Sequence, residues 1–117
     1  MSMIRGWWTE DRALPQKFFN AGLGLVGEAP LTGEPEMVEA VVRQHLASPA
    51  MWSIFQLQDL LGVDGIIRSP DVDAERINVP AIPNFYWRYR LHLTLEKLAM
   101  AKKFNSKLAE LRCVHGR

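Results

Sequence analysis

The clearest pattern in the chain lies between residues 34 and 49. Met37, Val38, Val41, Val42 and Leu46 recur at the spacing of one helical face, with polar residues between them. Glu34-Pro35-Glu36 opens the run with a proline in the first turn and acids at the positive end of the helix dipole, and Ser48-Pro49 closes it. This predicts an amphipathic helix. Upstream, Asp11 to Ala21 predicts a shorter helix in which Pro15 is tolerated only in the first turn. Gly22, Gly24 and Gly27, followed by Pro30, Thr32 and Gly33, mark a loop.

Met51-Trp52-Ser53-Ile54-Phe55-Gln56-Leu57-Gln58 is short, apolar and aromatic. Its length suits one buried strand, while its periodicity leaves a helix open. Asp59-Leu60-Leu61-Gly62 then reads as a turn and residues 64–76 as polar loop. Pro80 and Pro83 exclude a central strand around Val79. Thr94 is the expected N-cap of a closing helix or pair of helices, with Glu96 in the first turn and Leu95, Leu98, Leu108 and Leu111 on the apolar face. The expected fold class is therefore mainly α, a small helical domain over residues 1–117 with at most one or two short strands. A lone strand cannot pair with itself, because each edge needs a hydrogen-bonding neighbour, so a strand here implies a partner outside the segment.

Length narrows the picture further. The 117 residues suffice for one small domain but not for a complete enzyme barrel of about 250 residues. The formal charge of +1, with acids and bases mixed along the chain, gives no electrostatic case for nucleic acid or anionic lipid. Cys113 is the only cysteine, which excludes an internal disulfide and a thiolate metal site and suits a reducing cytoplasm. Residues 1–6 lack the apolar run of a signal peptide, and no stretch is long enough to span a bilayer. A cytoplasmic protein is expected.

Most candidate chemistry dissolves on inspection. His45, His92 and His115 are far apart and form no ligand pair, so surface or core roles outweigh metal binding. Asp71, Asp73 and Glu75 resemble the opening of a calcium loop but lack its glycine and its closing glutamate; a solvated loop is the better reading. Cys113 and His115 have no loop to build an oxyanion hole, and Ser48 and Ser53 lack a glycine-bracketed elbow. Gly22-x-Gly24-x-x-Gly27 matches a dinucleotide fingerprint by letter only, since the residues before it read as helix rather than strand. No metal and no cofactor are expected. One cluster remains: Asn78-Val79-Pro80 followed by Asn84-Phe85-Tyr86-Trp87-Arg88-Tyr89-Arg90. Aromatics alternating with arginines serve either to pack a domain or to hold a sugar, and packing is the more common use.

At this cluster the chain resembles the amylomaltases, or disproportionating enzymes, of the 4-alpha-glucanotransferase family. Ser48-Pro49-Ala50-Met51-Trp52 through Gly62 is similar to the eighth-strand region of that barrel. Glu75-Arg76-Ile77-Asn78-Val79-Pro80-Ala81 and Tyr86-Trp87-Arg88-Tyr89-Arg90-Leu91 are similar to the stretch after it, with Ala81 where many members carry glycine and Tyr86 where they carry asparagine. The resemblance implies a modified (β/α)8 barrel that transfers alpha-1,4-glucan segments between maltooligosaccharides with retention, using a carboxylate nucleophile and a carboxyl acid/base. A third, transition-state-stabilising aspartate belongs to a Thr-His-Asp motif shortly before Arg-Gly-Trp. Arg5-Gly6-Trp7-Trp8 matches the downstream part, and Met1-Ser2-Met3-Ile4 replaces what precedes it.

The resemblance thus implies the C-terminal portion of a glucanotransferase with no catalytic residue of its own. It is expected to be inactive alone, with a maltooligosaccharide-binding or regulatory module and one subunit of a split enzyme as alternatives. Asn78, Gln58 and Asp59 are the implied substrate-binding residues, Asn78 near the cleavage point and the other two at the end of the last strand. Trp87, Arg88 and Arg90 are expected to fasten the final segment to the barrel. Faces built for neighbours, among them Trp7, Trp8, Phe55 and the valine face of the middle helix, are expected to be exposed. They would drive association into a homo-oligomer or with the missing N-terminal part.

Overall fold

The computed structural model describes residues 4–116. Six α-helices follow in order: α1 (Ile4–Glu10), α2 (Ala13–Lys17), α3 (Pro35–Ala47), α4 (Leu57–Leu61), α5 (Leu95–Met100) and α6 (Lys102–Val114). A π-helical turn, Phe18–Gly22, continues α2, and a 3-10 turn, Asp73–Glu75, interrupts the long loop after α4. Among the described residues there is no strand, so the mainly α expectation holds.

α3 forms as its pattern requires. Glu34 caps it in an extended conformation, Pro35 occupies the first turn and Val38, Val41 and Val42 are buried. Val38 and Val42 pack with Leu61 and Val63 around α4 and with Phe104 of α6. Lys107 of α6 reaches over this core, its Nζ donating to the Val63 carbonyl at 3.0 Å and pairing with Glu39. Partial burial pushes the Glu39 carboxyl up, but Lys107 and Arg43 outweigh it and hold the group below its usual range. Gly62 makes the close approach of α4 to α3 possible. A Cβ there would lie 3.0 Å from Val38 Cγ1.

A second core gathers Trp8, Phe19 and Ala29. Trp8 is fully buried, and its Nε1 donates to the Pro30 carbonyl at 2.8 Å, so the ring loses no hydrogen bond on burial. The glycine-rich loop folds back on α2 through side chains. Gln16 Oε1 accepts from Ala29 N at 2.8 Å, and Arg12 donates to the carbonyls of Ala29 and Pro30.

Several expectations need correction. Trp8 and the valine face of α3 are not open faces; they are the centres of the chain's own two cores. Trp7 and Phe55 are half-buried beside them. The 51–58 segment does not become a strand. Residues 51–56 are irregular and Leu57 begins a helix that absorbs the turn expected at 59–62, because no described segment offers hydrogen bonds at either edge. Leu95, expected on an apolar face, is 72% exposed, whereas Leu111 is buried. The closing helices otherwise behave as read: Thr94 Oγ1 accepts from Lys97 N at 3.2 Å.

What stays exposed is different from what the sequence suggested. Met51, Trp52 and Ile54 are 76–89% exposed, and Trp87 is 72% exposed. The accessible surface is 8052 Å². A self-contained monomer of 13.3 kDa exposes about 6,500 Å². The radius of gyration, 14.9 Å, likewise exceeds the roughly 13.4 Å of a compact chain of this length.

Candidate functional site

The first amide of α1 has no partner inside its helix. Ile4 N donates instead to Asp59 Oδ1 on α4, at 2.9 Å. The next residue, Arg5, turns its side chain inward, and Nη1 donates at 2.8 Å both to Glu75 Oε1 and to the carbonyl of Ser69. Gln58, 3% exposed, makes a long contact of 3.5 Å from Nε2 to the Glu75 carbonyl. Gly33 lies against Arg5, where a Cβ would come within 3.0 Å of Arg5 Cα. One buried polar cluster therefore ties the start of α1 to α4 and to the loop that leads into Asn78.

Its electrostatics are unbalanced. Burial pushes the Glu75 carboxyl above its usual range; Arg5 partly offsets this, while the nearby Asp59 carboxylate adds to it. Glu75 Oε2 is buried with no hydrogen-bond partner, so the pair with Arg5 satisfies only one oxygen. Burial also raises Asp59, against the Ile4 amide and the influence of His45. Tyr89 is raised by burial and by Glu75, and its hydroxyl is likewise without a partner.

The three substrate-binding residues implied by sequence fall unequally. Gln58 and Asp59 are neighbours on α4, and both belong to the cluster through the contacts just described. Gln58 is turned inward, whereas Asp59 is only half-buried. Asn78, also half-buried, lies three residues beyond Glu75 on the same loop. Glu75 itself is 1% exposed and not part of a solvated acidic loop, although Asp71 and Asp73 are exposed. The pairing of Arg5 with Glu75 carries no mark in the sequence, because no periodicity signals a salt bridge across 70 residues.

The aromatic run packs only in part: Phe85 and Tyr89 are half-buried. Tyr86 and Trp87 are more than 70% exposed, with the Arg88 guanidinium stacked 4.9 Å above the Tyr86 ring. Asn84 takes a left-handed conformation, φ 59°, and the turns at 79–85 are held by single backbone bonds, Ile82 N to Val79 O and Phe85 N to Ile82 O. Residues before Gly22-x-Gly24-x-x-Gly27 are helical, which removes the geometry a dinucleotide site requires.

The polar cluster of this helical segment thus gathers two of the residues that the family resemblance implies to bind a sugar, and leads into the third. Residues 1–95 match the 4-alpha-glucanotransferase family. The chain belongs to that family. It is 38% identical over 116 residues to the 4-alpha-glucanotransferase DPE2 of Oryza sativa subsp. japonica, a match covering 99% of this chain and 12% of the rice protein. The chain thus spans about one-eighth of the length of that relative. No solved structure matches it. No helix among the described residues is long and apolar enough to cross a membrane.

Proposed function

We propose that this chain supplies the C-terminal portion of a 4-alpha-glucanotransferase, which transfers alpha-1,4-glucan segments between maltooligosaccharides, and that it builds part of the sugar site without performing the chemistry. The observation that carries the reading is the family match over residues 1–95, a span that includes Gln58, Asp59 and Asn78. In this reading Asn78 and Asp59 exchange hydrogen bonds with sugar hydroxyls, and Gln58, through its contact with the Glu75 carbonyl, braces the loop that leads to Asn78. The Arg5–Glu75 pair fixes the spacing of these elements. No residue of the chain takes the place of the attacking carboxylate, so transfer waits on carboxylates carried elsewhere, in a cytoplasmic enzyme.

The excess surface supports association with the remainder of such an enzyme or with a second copy. An apolar groove of about 780 Å³ between α3 and α6, rimmed by Met51, Trp52 and His115, is one face that gains from being covered. The excess of roughly 1,600 Å² exceeds the ~800 Å² that one partner contributes to a standard interface.

The test is disproportionation of maltotriose, read as glucose release. The purified chain alone is expected to release none, and the chain joined to the remaining portion of a family member is expected to be active. Glucose release by the chain alone at the rate of the joined enzyme would refute the reading. So would an inactive joined enzyme whose parent is active.

A further inference from the structure

Residues 52–56 lead from α3 into α4 without belonging to either helix, and their exposure alternates: Trp52, Ile54 and Gln56 face solvent, while Ser53 and Phe55 are half-buried. The inward side is fixed on α3. Ser53 Oγ donates to the His45 carbonyl at 3.0 Å, and the Phe55 ring meets the His45 ring edge-on at 6.0 Å. A period of two marks an extended strand with one face covered. Gln56 is itself extended, with φ −76° and ψ 144°.

The backbone of this run is unpaired. Among the described residues, no hydrogen bond uses the N–H or C=O of residues 51–55. The Gln56 carbonyl accepts from Asp59 N and Leu60 N at the start of α4, at 3.1 and 3.2 Å. In a strand the backbone groups of residues 52, 54 and 56 share one edge, so that edge is turned to α4 and the edge of residues 53 and 55 is the one free to pair. Native edges of this kind are guarded by charge, by proline or by a covering element. Here no Asp, Glu, Lys or Arg stands between Arg43 and Asp59, and Pro49 lies ahead of the run. Nothing in it repels an identical copy.

We infer that two copies of this chain pair antiparallel along residues 52–56, about a two-fold axis at Ile54. Ser53 N–H and C=O exchange hydrogen bonds with Phe55 of the partner subunit, and the axis repeats the exchange. Ile54 then meets its own counterpart as a non-hydrogen-bonded pair, where side chains approach closest. A second copy fits because a two-fold axis uses the same edge twice and closes, leaving no free edge on that side to extend. The area suffices as well. The chain exposes 8052 Å² where a self-contained monomer of 13.3 kDa exposes about 6,500 Å², and a standard interface takes ~800 Å² from each partner. This pairing is independent of glucan binding.

Sedimentation equilibrium of the full chain from about 1 to 100 μM reads the mass, and a rise from 13.3 kDa toward twice that value is expected. Ile54→Lys sets two like charges opposite each other and removes two apolar contacts, and is expected to weaken the dimer about a hundredfold. Ile54 is 89% exposed, so helix content and melting temperature are expected to match the wild type where both are monomers. Mild oxidation in a Cys113→Ser background, which removes the exposed native thiol, reads the register. Ile54→Cys is expected to cross-link two copies. Gln56→Cys alone is not, whereas a mixture of Trp52→Cys and Gln56→Cys is, because those two positions lie opposite each other. A mass of one chain throughout would overturn the pairing, whether the chain stays alone or associates only with the remaining portion of a family member. A dimer that Ile54→Lys leaves intact, or one that gives no Ile54→Cys cross-link, would overturn it too, because another face would then hold the copies together. None of these results touches glucose release by the joined enzyme, which decides the proposed function separately.

Discussion

Arg5 and Glu75 stand 70 residues apart in the chain and meet at 2.8 Å, with side chains only 8% and 2% exposed. The pair joins the first turn of α1 to the loop that carries Asn78, and it is the longest-range polar link in the cluster around Asp59. A buried pair of this kind adds less stability than its geometry suggests, because both charges leave water and Glu75 Oε2 finds no partner. Breaking it is another matter.

Arg5→Met leaves the Glu75 carboxylate buried without its cation and is expected to lower unfolding free energy by about 3–5 kcal/mol. Arg5→Met combined with Glu75→Leu removes both charges and is expected to recover most of that loss. Urea denaturation of the wild type, the single and the double variant measures the difference. Equal instability of the two variants would show that packing around the Arg5 stem, and not charge, is what the pair supplies.

Asp59 and Glu75 both have folded-state carboxyls raised above their ordinary values of 3.8 and 4.5. A carboxyl raised on folding favours the protonated native state, so its contribution is fully present below the ordinary value and is lost as pH rises through the folded one. Glu39, lowered on folding, has the opposite sign: its contribution is lost as pH falls through its depressed value. Just above pH 4.5, stability is therefore expected to fall as pH rises, and Asp59→Asn, which keeps an oxygen for the Ile4 amide, is expected to flatten that slope. Thermal melts from pH 4 to pH 7 on both proteins give the answer, and identical slopes would contradict it.

Gly62 is expected to resist substitution. Gly62→Ala brings a methyl to 3.0 Å from Val38 Cγ1 and moves α4 off α3, costing about 1–3 kcal/mol by overpacking. Val38→Ala in the same chain makes room, so the double variant is expected to lose less than the two single losses combined. Chemical denaturation of the four proteins of the cycle tests the coupling.

Thr94→Ala removes the acceptor for Lys97 N and is expected to cost about 1 kcal/mol, felt mainly as fraying of α5. Faster amide exchange at Lys97 with unchanged exchange in α3 would bear this out; uniform change across both helices would not.

Much of the fold was legible without coordinates because it depends on near neighbours. The spacing of Val38, Val41 and Val42, the proline at 35 and the threonine at 94 each act within a turn or two of chain, where geometry is set by local sterics and capping. The family resemblance came from ordered local motifs too, at Arg5-Gly6-Trp7-Trp8, around Gln58 and Asp59, and around Asn78.

The candidate site was legible only in part. Gln58, Asp59 and Asn78 carry a family pattern, whereas nothing near Arg5 in sequence announces Glu75, and His45 reads as an ordinary surface residue until it faces Asp59 across a pocket. Residues 51–58 show the same limit from the other side: their composition suits a strand, but a strand exists only where a second edge supplies hydrogen bonds. Helix borders and motifs belong to the sequence because short-range sterics decide them. Which apolar face is buried, which carboxylate is desolvated and which side chains share a pocket belong to the tertiary structure, because burial and Coulomb energies depend on distances that chain order does not encode.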